Sequence, residues 1–149
     1  MSNSELTVDD YNRRGADCLP GLVGFELLSI APERLLCRLA VRRELMAPNG
    51  YLHGATVIAL ADTACGYGAV ANLPQGARGF TTIELKANFL STMREGALRC
   101  EATPVHLGRT TQVWDAVVSD EATGRRVALF RCTQMVLGGG ESRIVKGES

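Results

Sequence analysis

The fold turns on one stretch, Gly54-Ala55-Thr56-Val57-Ile58-Ala59-Leu60-Ala61-Asp62-Thr63-Ala64-Cys65-Gly66-Tyr67-Gly68-Ala69-Val70-Ala71. It reads as a helix from Gly54 to about Asn72, apolar on every side and so expected to be buried. Its many Ala and Gly residues let a helix axis approach its neighbours closely. The length raises the question of a membrane span. Asp62 at its centre and the small side chains around it argue against one, and the expectation is a core helix of a soluble protein.

Outward from this helix the pattern changes to strands. Leu73 to Gly79 holds Pro74, Gly76 and Gly79 and reads as a loop. Strand-like segments follow at Thr81 to Leu90, Ala97 to Val105, Thr110 to Ser119 and Arg126 to Leu137. The last two are joined by the turn-rich Asp120-Glu121-Ala122-Thr123-Gly124-Arg125. Upstream, Arg42 to Leu52 carries the loop residues Pro48, Asn49 and Gly50. Val23 to Ile30 and Leu35 to Val41 read as a hairpin about Ala31-Pro32-Glu33-Arg34, and Glu5 to Asp17 as a short helix ended by Cys18-Leu19-Pro20-Gly21. Consecutive hairpins imply an antiparallel sheet, and only the central helix is apolar enough to cover its inner face. The expected architecture is α+β: a curved antiparallel sheet of about five to six strands wrapped around one long helix. Residues 1–149 read as a single domain, with an N-terminal helical segment at 1–18 and a frayed tail at 138–149.

The bulk numbers fit that picture. A chain of 149 residues, 46% hydrophobic and 21% charged, is long enough to bury a core without metals or disulfides. Sixteen basic and sixteen acidic residues cancel, so no basic excess points to nucleic acid or an anionic membrane. The five cysteines, Cys18, Cys37, Cys65, Cys100 and Cys132, are scattered and odd in number. That spacing argues against a disulfide framework or a zinc site. With a polar, acidic Met1 to Asp10 in place of a secretory signal, the expected location is cytoplasmic.

Two features carry the chemistry. Asp62 has Ile58, Ala59, Cys65 and Gly66 at helical neighbour positions, and none of them can neutralise a carboxylate. An unpaired acid on such a face is costly unless it is functional or bonded to a distant group. The second feature is Asn49-Gly50-Tyr51-Leu52-His53-Gly54, a glycine-containing loop that runs into the helix start. The first N–H groups of a helix lack internal partners and can stabilise an oxyanion. Gly54 and Asp62 stand about 12 Å apart along the axis, too far to meet at one acyl carbon in one chain. Either the pairing is accidental, or a site combines Gly54 of one subunit with Asp62 of another, which requires a symmetric dimer.

His53-Gly54, Leu60-Ala61-Asp62-Thr63-Ala64, the strand Thr82-Ile83-Glu84-Leu85-Lys86-Ala87-Asn88-Phe89-Leu90, Gly108-Arg109 and Val127-Ala128-Leu129-Phe130-Arg131 together resemble the hotdog-fold thioesterase superfamily. Within it the likeness is to the PaaI-like (phenylacetate-pathway) group, from about Leu19 to Leu137. The resemblance implies acyl-CoA hydrolysis at sites between the subunits of a homodimer or homotetramer, with no cofactor and no metal. Coenzyme A enters only as part of the substrate. Asp62 is then the nucleophile or the base that activates water. The Gly54 N–H polarises the thioester carbonyl, His53 positions that carbonyl or the loop, and Asn49 orients water or substrate. Thr82 stands where relatives carry a small hydroxyl residue, and Arg94 and Arg109 are expected to meet the CoA phosphates. The chain departs from many relatives at Ala55, where they have a second glycine, and at Ala47, where they place the loop Asn. The competing readings are a hotdog acyl-thioester dehydratase or hydratase, and a non-catalytic acyl-CoA-binding module.

Overall fold

The structure, a computed structural model, describes residues 5–138. Three helices, α1 (Val8–Gly15), α2 (Leu19–Val23) and α3 (Gly54–Ala71), accompany six strands: β1 (Phe25–Ala31), β2 (Arg34–Ala40), β3 (Gly79–Phe89), β4 (Ala97–Leu107), β5 (Thr111–Asp120) and β6 (Arg126–Leu137). All six strands form one antiparallel sheet in the order β1-β2-β4-β5-β6-β3. The expected α+β architecture, a sheet around one long helix, is the observed one.

The close approach of α3 to the sheet depends on its glycines. A β-carbon on Gly68 would lie 2.6 Å from the Trp114 ring, and one on Gly66 would lie 3.1 Å from Phe80. With no side chain at either place, Leu60, Ala61, Ala64 and Cys65 of α3 pack fully buried against Leu35, Cys37, Leu39, Leu98 and Trp114 of the sheet. Each of these leucines contributes roughly 1.5–3 kcal/mol on burial. Among the described residues α3 is the one helix long and apolar enough to cross a membrane. Here the sheet covers its inner side.

Three local expectations are corrected. Cys18 to Gly21 does not end the first helix and lead into a strand. Ala16 caps α1, and Leu19–Val23 forms a second short helix with a proline in its first turn. Gly24, at φ 83°, ends that helix in the left-handed conformation, so β1 begins at Phe25 instead of Val23. Arg42 to Leu52 is the expected loop, and within it lie a short 3-10 turn, Arg43–Leu45, and a bridge between Met46 and Leu52. The sheet also departs from a simple run of hairpins. β3 does not pair with β4 but lies at the far edge beside β6, so the chain crosses over before β4 begins.

The N-terminal segment is tied down by its own chemistry. Thr7 Oγ1 accepts from the Asp10 N–H while the Asp10 carboxylate accepts from the Thr7 N–H, closing a reciprocal cap on α1. From the same helix the Asn12 side-chain amide bonds both the N–H and the carbonyl of Leu27 in β1. Residues 1–4 and all of the expected tail except Gly138 lie outside the described residues.

Candidate active site

Helix α3 sets the site because its start and its middle differ in chemistry. At the start, His53 is the cap. Its backbone is extended (φ −69°, ψ 134°), and its Nδ1 accepts from the Ala55 N–H at 2.9 Å. The Thr56 N–H goes to the His53 carbonyl and the Thr56 hydroxyl donates to the Leu45 carbonyl. The Gly54 N–H finds no acceptor among the described residues. An uncommitted N–H at the positive end of a helix is suited to holding an oxyanion or a polarised carbonyl oxygen. Phe89 of β3 lies against Gly54, its Cζ 3.1 Å from where a β-carbon would stand.

Two turns on, Asp62 is half-buried, and its Oδ1 is buried without any hydrogen-bond partner. Burial raises its carboxyl above the ordinary aspartate value, since desolvation penalises the charge. Cys65, one turn along, is committed to packing. A hydrogen bond with Cys132 and its own burial push its thiol well up, away from the reactive thiolate.

The remaining expected site residues fall in different places. Asn49 is exposed, and its Oδ1 accepts from the Tyr51 N–H at 3.1 Å, a local turn bond that shapes the loop. Arg94 is held near the helix start: its guanidinium donates to the Tyr51 hydroxyl at 2.6 Å and lies 4.3 Å over that ring. The Leu52 N–H bonds the Met93 carbonyl, which ties this loop to the loop before His53. Arg109 is exposed in the turn after β4, a full strand length away from Arg94. Within one chain the two arginines therefore do not converge. Thr82 is half-buried on β3, opposite Gln134 of β6.

Reading the sequence missed Gln134, which is fully buried with both amide atoms unpartnered. The available signal was a polar residue in the inward alternation Phe130, Cys132, Gln134, Val136. Also unforeseen is a groove of about 520 Å³ beside the helix start, walled by Leu19, Leu22 and Val23 of the α2 helix and by Ala55 and Ala59 of α3, with Arg42 at its margin. No group of three or more His, Cys, Asp or Glu side chains able to hold a metal occurs among the described residues.

Residues 49–127, just over half of the chain and including Asn49 to His53, helix α3 and strand β3, match the Thioesterase superfamily profile. A Bacillus subtilis protein named as an esterase is 35% identical over 115 residues, covering 77% of this chain and 90% of its own. A 1,4-dihydroxy-2-naphthoyl-CoA hydrolase of Listeria monocytogenes is 32% identical, with 74% and 89% covered. Among solved structures, a thioesterase from Haemophilus influenzae superposes with a TM-score of 0.84 at 26% identity, covering 93% of this chain and 95% of its own. A mutant thioesterase from Pseudomonas aeruginosa gives the same score and identity over 89% and 95%. A half-buried carboxylate with one buried, unpartnered oxygen and a free helix-start N–H on one core helix thus occur in a chain that belongs to the Thioesterase superfamily, with the hotdog fold and the activity of a thioesterase.

Proposed function

We propose that this chain hydrolyses acyl-CoA thioesters to a free carboxylic acid and coenzyme A, with Asp62 as its catalytic carboxylate. The observation that carries the reading is the buried Asp62 Oδ1 without a partner, on a helix whose free Gly54 N–H faces the same chemistry from its start. The naming of relatives as CoA-thioester hydrolases supports the leaving group. The thioester carbonyl oxygen accepts from the Gly54 N–H, which makes the carbon electrophilic. Asp62 either takes a proton from a water that attacks the carbon or attacks that carbon itself. The C–S bond breaks as the tetrahedral intermediate collapses, and CoA leaves as the thiolate; on the nucleophilic route the mixed anhydride left on Asp62 is then hydrolysed by water, which releases the free acid and restores the carboxylate. His53 fixes the Gly54 peptide by capping the helix, and Asn49 holds the preceding loop. Arg94, braced on Tyr51, offers a cation to the CoA phosphates, and Arg109, at the opposite end of β4, reaches the same phosphates only from the other copy.

The site is shared between two copies. Two turns of α3 separate Gly54 from Asp62, so one acyl carbon reaches both only if each comes from a different chain. Strand β3 supports the assembly. It is eleven residues long, pairs with β6 on one side only, and exposes Ile83, Leu85 and Phe89. A long apolar edge of this kind calls for a second strand. The deciding measurement is thiol release from a panel of aryl and alkyl acyl-CoAs. Turnover of at least one, abolished by Asp62→Asn, is expected, and a folded protein inert toward the whole panel would overturn the reading.

A further inference from the structure

Leu22 is 69% exposed, more than any other large apolar side chain among the described residues, and Leu19 is 57% exposed. Both stand on α2, three residues apart and so on one side of it. They form one wall of the groove of about 520 Å³, and Ala55 and Ala59, one turn apart on α3, form the other. That volume lies within the roughly 300–1,000 Å³ usual for small-molecule sites. The chemistry at Gly54 and Asp62 makes no use of it. Leucines left in water opposite alanines favour an apolar occupant that covers them.

The position of the groove ties it to the reaction. Ala55 follows Gly54 directly, so the groove begins one residue from the N–H that receives the thioester oxygen. An acyl group held there by its carbonyl has the trough beside it as a path for its chain. The walls are fixed in advance. A β-carbon on Gly21 would meet the Ala16 carbonyl, so α2 sits hard against the end of α1. Arg42 Nη2 donates to the Leu22 carbonyl, and Val23 is anchored in the core.

The polar atoms around the groove decide what it accepts. The Thr56 hydroxyl donates to the Leu45 carbonyl, and the Ala55 N–H is taken by His53 Nδ1. Arg42 and Glu44, at the margin, pair with each other at 3.6 Å and face water. Between the leucines and the alanines no side-chain donor or acceptor is left over. A hydroxyl buried there would lose its water and gain no partner.

We propose that this groove is the acyl subsite, that Leu22 is a specificity-determining residue in it, and that the acyl group is a straight hydrocarbon chain and not a hydroxylated ring. The inference rests on the acyl-CoA reading above and narrows its substrate. The apolar length of the chain, more than any polar contact, then sets the preference.

The test reads kcat/KM, by thiol release, for straight-chain acyl-CoAs from butanoyl to octanoyl. In wild type it should rise roughly fourfold for each added methylene, and at least about 100-fold across the series. Benzoyl-CoA should be at least as good a substrate as 3-hydroxybenzoyl-CoA. Leu22→Ser removes the apolar wall and should lower the octanoyl-to-butanoyl ratio at least about tenfold, with butanoyl turnover kept within about twofold. Ala59→Leu fills the trough from the opposite wall and should lower the same ratio. Butanoyl turnover shows that each variant is folded, and Ala59→Leu decides should Leu22→Ser fail to fold. A flat series in wild type, a ratio unmoved in a folded variant, or a preference for the hydroxylated ring overturns this inference alone. So does a Leu22→Ser protein that keeps its ratio and falls to monomer in sedimentation velocity, which would give the groove to a second copy of the chain. Failure of wild type to release thiol from any acyl-CoA overturns the functional reading, and this one with it.

Discussion

Gly54 and Phe89 are in contact: a β-carbon on Gly54 would come within 3.1 Å of the ring of Phe89, on the exposed edge strand β3. The first residue of the core helix and the end of the open strand are thereby coupled beside the uncommitted Gly54 N–H. Gly54→Ala keeps that N–H but pushes the ring by a few tenths of an ångström. Because Phe89 is 51% exposed, it can give way, and the stability cost should stay under about 1 kcal/mol. The ring then crowds the place the thioester oxygen must occupy, and kcat/KM should fall about tenfold. Adding Phe89→Leu should restore most of it. A double-mutant cycle showing independent effects would separate the ring from the site.

Asp62 makes two pH-dependent predictions from one cause. Desolvation raises its folded-state pKa above the unfolded value of about 3.9. Activity, which needs the carboxylate, should decline on the acid side with an apparent pKa above that value. Stability moves the opposite way. The contribution of this group is fully present below the unfolded pKa and is lost as pH rises through the folded pKa. Asp62→Asn should therefore be more stable than wild type near neutral pH, and the difference should shrink on acidification. Its turnover should fall by at least about 100-fold. Urea denaturation and initial rates across the same pH series check both, and an acid limb at or below the free-aspartate value would refute the first.

The central helix, the six strands and the Gly54–Asp62 spacing were legible because each is a local pattern: alternation for strands, an uninterrupted apolar run for α3. Arg126–Leu137 is a strand over the very residues its alternation marks. Sheet order was not legible, since the placement of β3 beside β6 is decided by how the sheet closes around α3. Leu19–Val23 escaped notice because five residues make too little periodicity to distinguish a helical turn from a loop. The bracing of Arg94 on Tyr51 joins two loops more than forty residues apart, and no spacing along the chain announces it. Gln134 differs from these. Its polar side chain broke an apolar alternation, and only the absence of a partner separates it from the satisfied Gln112.

The exposed edge of β3 yields a prediction about assembly. Glu84 and Lys86 flank Leu85 on an open strand. Antiparallel pairing of two β3 strands about Leu85 sets each Glu84 opposite the partner subunit's Lys86. Lys86→Glu then puts like charges across the junction and should weaken the dimer, more at low salt than at high. The double reversal, Glu84→Lys with Lys86→Glu, should restore it. Leu85→Lys should give monomer outright. Sedimentation velocity reads all three, and a Leu85→Lys protein that remains dimeric would place the interface elsewhere.

The shared site makes the most demanding prediction, because it requires two inactive proteins to make an active one. Asp62→Asn removes the carboxylate, and Gly54→Pro removes the helix-start N–H, since proline has none. Proline is tolerated in a first helical turn, and the Gly54 N–H bonds nothing among the described residues, so the fold should survive the change. Each variant alone should be inactive. When equal amounts exchange subunits at random, about half the dimers are mixed, and each mixed dimer has one site with both defects and one with neither. Activity should return to roughly a quarter of wild type per site. Native mass spectrometry establishes that exchange has occurred, and circular dichroism that both variants are folded. If mixed dimers form and no activity returns, Gly54 and Asp62 do not meet across subunits. The 12 Å of helix between them, at about 1.5 Å per residue, would then exclude one of the two from the reacting carbon.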